Sequence, residues 1–160
     1  MARRLRPVEL DFADTAPLRL SFTGDVGATR ESVYRALAEE VADWPRWFSA
    51  VTEVTPADEG RGRFVRLRGG GFFRETIMAA QPVERYAYRV DETNAPGVRA
   101  MLEDWTLAVS PSGGTRLRWT MAVDGGPALR AALRLARPGV ARSFRGAVRG
   151  LDARLRARVR

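Results

Sequence analysis

The side chains of this sequence alternate with a period of two from just after Phe48 to Asp124, then recur with the period of an α-helix from Leu129 to Val159. That change of period restricts the chain to a sheet of hairpin-linked strands followed by one long amphipathic helix. Either pattern placed on the other element would turn half its apolar side chains to water. The clearest alternation sets Met101, Glu103, Trp105, Leu107 and Val109 against Leu102, Asp104, Thr106 and Ala108. Leu117, Trp119, Met121 and Val123 then alternate with Arg116, Arg118, Thr120 and Ala122, after a hairpin at Ser110 to Gly114. Upstream, Gly60 and Gly62 precede a strand through Leu67, Gly69 to Gly71 turn it into Phe72 to Ala80, and Gln81 and Pro82 lead into Arg85 to Val90. Asn94 to Gly97 marks the next turn.

Ahead of these strands, Leu18, Leu20 and Phe22 alternate with Arg19 and Ser21 as a first strand. Thr29 offers an N-cap to a short helix carrying Val33, Leu37 and Val41, which Pro45 closes, and Trp44, Trp47 and Phe48 follow as a second helical turn. In the last helix Val140, Phe144, Val148, Leu151, Leu155 and Val159 share one arc, preceded by Leu129 and Leu133. Arg142, Arg145, Arg149, Arg156 and Arg160 share the opposite arc, and Pro138 with Gly139 predicts an interruption.

A length of 160 residues suits a single core. With no cysteine and no histidine, thiolate nucleophiles, disulfides, imidazole bases and Cys- or His-ligated metals are excluded, and neither metal nor cofactor is expected. No stretch approaches the roughly 18 apolar residues of a membrane span. The basic start runs into Glu9 and Asp11 instead of a signal-peptide apolar region, so a cytoplasmic location is expected. The formal charge of +8 sits at one end, for the residues from Arg130 onward hold ten arginines against Asp152 alone. Any anionic membrane or acidic partner is therefore expected at Arg142, Arg145 and Arg149. Every basic residue is arginine, which coding bias would explain as well as selection.

The order of elements resembles the polyketide cyclase/dehydrase and lipid-transfer branch of the START-like (SRPBCC) superfamily. The segments that carry it are Trp44-Pro45-Arg46-Trp47-Phe48, Gln81-Pro82-Val83-Glu84-Arg85-Tyr86-Ala87-Tyr88-Arg89-Val90 and Gly113-Gly114-Thr115-Arg116-Leu117-Arg118-Trp119. The resemblance covers about Leu18 to Leu155. It implies an α+β helix-grip fold, in which a curved seven-stranded antiparallel sheet, with two short helices after its first strand, wraps a long C-terminal helix around an apolar cavity. The chain then divides into a leading segment, 1–16, on which the resemblance is silent, and one helix-grip ligand-binding domain, 17–160.

The residues expected to line that cavity are Leu67, Phe73, Tyr86, Tyr88, Met101, Trp105, Leu107, Trp119 and Met121 from the strands. Leu133 and Phe144 join them from the last helix, with Trp47 and Phe48 at the mouth. Taken singly, each reads as core filling; taken together, they outline a pocket. Glu103 shares the parity of Trp105 and points inward, whereas Glu75 falls inside only if Phe73 and Ile77, not Phe72, Thr76 and Met78, form the inner face. Either carboxylate would orient or protonate a ligand, or pair with a structural arginine. Glu103 and Tyr88 are the candidate proton carriers. Arg61 to Gly71 reads as a glycine-turned hairpin with an arginine face. It lacks both the Gly-Lys-Ser/Thr of a phosphate loop and the aromatic residue of an RNA-recognition strand, so no nucleic acid is expected there. Three functions remain open: binding or carriage of a small hydrophobic molecule, cofactor-free cyclisation or dehydration of a polyketide-like substrate in the same cavity, and docking through the basic helix. The chain could act as a monomer or a homodimer.

Overall fold

The computed structural model describes all residues, 1–160. In chain order the elements are β1 (Arg3–Arg4), α1 (Phe12–Thr15), β2 (Leu18–Val26) and α2 (Arg30–Tyr34), which runs on as a π-turn over Arg35–Glu39. A 3-10 turn (Val41–Arg46), β3 (Val51–Ala57), β4 (Gly62–Leu67), β5 (Phe72–Gln81), β6 (Arg85–Thr93), β7 (Val98–Val109), β8 (Thr115–Gly125) and α3 (Pro127–Val159) complete it. Seven strands form one antiparallel path, β2-β8-β7-β6-β5-β4-β3, curved around α3, which is the expected α+β helix-grip architecture.

The two faces of the sheet follow the parity of the sequence. Glu103, Trp105 and Leu107 of β7 and Leu117 and Trp119 of β8 point to the concave face, where Phe144 of α3 stacks on Trp119 with ring centroids 6.0 Å apart. Gly24 lets α3 approach, since a Cβ there would stand 3.0 Å from a methyl of Val148. On the convex face Ala100, Leu102 and Ala122 are covered by Val8, Phe12 and Ala13. The leading segment therefore packs on the sheet. β1 pairs with β6 where β7 has splayed away, and Leu5 and Arg6 donate their amides to the carbonyls of Asp91 and Arg99, tying both strands together.

Three local expectations are corrected. Pro138 and Gly139 do not interrupt α3, which is continuous over 33 residues. Both are exposed, so the hydrogen bond that proline forfeits opens a carbonyl to water and not to the core. The 7-residue β3 was not distinguished in the sequence because a bulge between Val51 and Glu53 buries Val51 and Val54, three apart, and spoils the alternation. In β4 the expected arginine face is half wrong. Arg66 is exposed, but Arg63 is turned into the core with 2% of its surface accessible while Phe64 faces outward.

Candidate functional site

Between the concave face and the first half of α3 lies a cavity of about 210 Å³. Its walls are apolar because inward parity on β4 to β8 presents Val65, Leu67, Phe73, Met101, Trp119 and Met121, while α3 contributes Val140 and Ser143. Leu67, Phe73, Met121, Val140 and Ser143 are only half-buried, so the mouth lies between the β4–β5 hairpin and the middle of α3. In β5 the set Phe73, Glu75, Ile77 is the inner one; Phe72 stacks outside on Phe64.

Of the residues expected at the cavity, Phe48, Leu67, Phe73, Glu75, Tyr88, Met101, Glu103, Trp119 and Met121 line it. Six do not. Trp105, Leu107 and Phe144 are buried behind the wall in the main core, and Leu133 packs beside Met101 and Met121. Tyr86 faces a separate cleft with Ala38, Val41 and Ile77. Trp47 is not at the mouth but under α3, where a Cβ on Gly150 would stand 2.6 Å from its carbonyl oxygen. Its place in the wall is taken by Trp44, whose Nε1 donates to the Leu37 carbonyl. Sequence reasoning missed Trp44, Ala50, Val51, Arg63, Val65, Val140 and Ser143. Val65 and Val140 were legible by parity and helical arc. Arg63 shares the strand parity of Val65 and Leu67, but a guanidinium gives no apolar signal.

The inner end of the cavity is polar. Arg63 Nε donates to Glu75 Oε2 at 2.5 Å, and its guanidinium carbon lies 4.0 Å from the Tyr88 ring centroid and 4.2 Å from that of Trp44. Aromatic faces and a carboxylate replace the water this cation has lost. Its Nη1 is buried with no hydrogen-bond partner. Beside it, Glu103 Oε2 accepts from the Tyr88 hydroxyl at 2.5 Å and from Trp119 Nε1 at 3.1 Å, while Trp105 Nε1 donates to the Tyr88 oxygen at 3.1 Å.

Glu75 thus pairs with the buried guanidinium directly, and Glu103 lies within reach of its charge. Burial pushes Glu75 up to about 7 against the pull of Arg63, with the neighbouring Glu103 adding to the rise. Burial also raises Glu103, opposed by the Tyr88 hydrogen bond, the Arg63 charge and the Trp119 hydrogen bond. Burial and the Glu103 charge hold the Tyr88 phenol well above its ordinary range, so it stays a donor. Burial works against the Arg63 charge, yet the Glu75 charge and hydrogen bond more than restore it. The pair thus shifts oppositely for ion pairing: Arg63 is strengthened as a cation while Glu75 is weakened as an anion. Charge balance reconciles them. Arg63 stays charged, and Glu75 and Glu103 are both held above the ordinary carboxylate range. No three acidic side chains converge to hold a metal ion.

Comparison with known proteins gives three findings. The profile of a family described as polyketide cyclase/dehydrase and lipid transport matches residues 17–156. An uncharacterised protein of Mycobacterium tuberculosis is 38% identical over 160 residues, covering 94% of each chain. Among solved structures, the Zhui aromatase/cyclase of Streptomyces sp. R1128 aligns with a TM-score of 0.71 at 21% identity, covering 89% of this chain and 96% of that one. A START superfamily protein of Mycobacterium smegmatis aligns at 0.66 and 12% identity, over 87% and 97% of the two chains. At these identities the structures are alike in fold alone.

Proposed function

The chain belongs to the polyketide cyclase/dehydrase and lipid transport family, and from that premise we propose that it binds and carries a small apolar molecule with one oxygen acceptor at its buried end. The observation that carries this reading is the cavity's division into an apolar body and a polar floor of Arg63, Glu75, Tyr88 and Glu103, with Arg63 Nη1 buried and unpartnered. An unmatched buried donor costs about 1–3 kcal/mol, and a ligand carbonyl that accepts from it recovers that cost. The volume of about 210 Å³ suits a ring system of one or two rings or a short chain.

The test compares two naphthalenes by quenching of tryptophan fluorescence, since Trp44 and Trp119 line the cavity. 2-Acetylnaphthalene should bind saturably and roughly tenfold more tightly than 2-ethylnaphthalene, which has no oxygen. Ser143→Phe, which fills the mouth from α3, should abolish both responses without lowering the melting temperature. Equal affinity for the two naphthalenes would remove the oxygen acceptor from the proposal, and no saturable response to either would remove the carrier function.

A second reading, cofactor-free cyclisation or dehydration, is favoured by Glu75, because an acid pushed up to about 7 inside the cavity can both take and give a proton near neutral pH. Elimination of water from a small β-hydroxy ketone, followed by enone absorbance, tests it. Glu75→Gln and Glu103→Gln should each lower kcat more than they raise KM, and unchanged turnover in both variants would exclude catalysis by these carboxyls.

A further inference from the structure

We propose that the outward face of α3 docks on an anionic lipid bilayer, an inference that rests on the carrier reading above and names the surface it would exchange with. An exposed helix face on a water-soluble domain is ordinarily polar. In the first three turns of α3 the outward arc is instead Ala128, Ala131, Ala132, Leu135, Pro138 and Gly139, all exposed, with Leu135 at 83%. The same arc continues as Arg142, Arg145 and Arg149, also exposed. From Pro127 to Leu151 there is no acidic residue, and no arginine between 130 and 149 pairs with a carboxylate. The arginines nearer the C-terminus are different, for Arg154 is paired with Asp43, Arg156 with Asp152 and Arg158 with Glu40.

An apolar strip bordered by free guanidiniums matches the interface of an anionic bilayer, which takes apolar side chains below the headgroups and cations among them. A second copy of the chain does not fit, because a two-fold contact would set this acid-free, arginine-bearing face against itself. Nucleic acid would satisfy the arginines but has no use for the apolar strip. Val140 and Ser143, which border the mouth, lie along α3 between Leu135 and Arg145 but on its inner side, so docking brings the cavity close to the bilayer with the helix between them.

Flotation with phosphatidylcholine vesicles, with and without phosphatidylglycerol, tests the proposal. The wild-type protein should float only with the anionic vesicles and be released by salt. Arg142→Gln/Arg145→Gln/Arg149→Gln should weaken binding roughly a hundredfold, at about 1 kcal/mol per basic side chain. Leu135→Ser should weaken it roughly tenfold. All variants should keep the fluorescence response to 2-acetylnaphthalene, which separates lost docking from a damaged cavity. Failure of the wild-type protein to float, or full binding by the triple variant, overturns the proposal. So does binding to a DNA duplex that survives Leu135→Ser unchanged while vesicle binding is absent. A protein that floats as described but ignores both naphthalenes keeps the docking surface and loses the carrier reading.

Discussion

At the scale of single residues, Arg63 and Glu75 carry the most consequence, because a buried pair is strongly felt only when one partner is removed. Arg63→Met should cost about 3–5 kcal/mol by stranding Glu75 in the core. Arg63→Met/Glu75→Leu should recover most of that, and urea denaturation of the two variants measures the difference. A double variant as unstable as the single one would mean that packing against Trp44 and Tyr88, not charge, sets the cost. The same site predicts a pH dependence. Glu75 is raised from 4.5 to about 7, so the folded protein holds this proton more tightly than the unfolded chain does. Its contribution to stability is full below about 4.5 and is lost as the pH rises through about 7. Glu103, also raised, acts in the same direction. Denaturation midpoints should therefore fall between about pH 5 and about pH 8, and Glu75→Gln should flatten that slope.

Elements are held by a few close approaches. α3 rests on the segment after the 3-10 turn at Gly150, where a Cβ would stand 2.6 Å from the Trp47 carbonyl oxygen, whereas nothing lies within 4 Å of a Cβ on Gly146. Both glycines are in the helix interior, where alanine is intrinsically better by roughly 0.5–1 kcal/mol. Gly146→Ala should raise the melting temperature, and Gly150→Ala should lower it because the helix must lift off Trp47. A stabilising Gly150→Ala would show that this seat is loose. The β7–β8 pair was legible because its bulky residues keep strict parity through the hairpin. β3 was not, since its bulge breaks the period that identifies a strand.

For the whole molecule, residues 1–16 belong energetically with the sheet. Leu5 and Val8 are buried with Phe12 and Ala13, and burying each large apolar side chain is worth roughly 1.5–3 kcal/mol. Removing residues 1–16 should lower the melting temperature sharply, and an unchanged midpoint would show that the β6–β7 gap closes without them. The sequence by itself determined the order of elements, the inner face of β7 and β8, and the concentration of positive charge on α3, because period and charge are properties of residues close along the chain. Only the tertiary structure decided which inward residues face empty space and which fill the core, since that depends on how far α3 stands from each strand. It alone put Trp44, and not Trp47, in the cavity wall and turned Arg63 inward. A guanidinium can be buried only where aromatic rings and a carboxylate from other strands meet it, and no local pattern records that meeting.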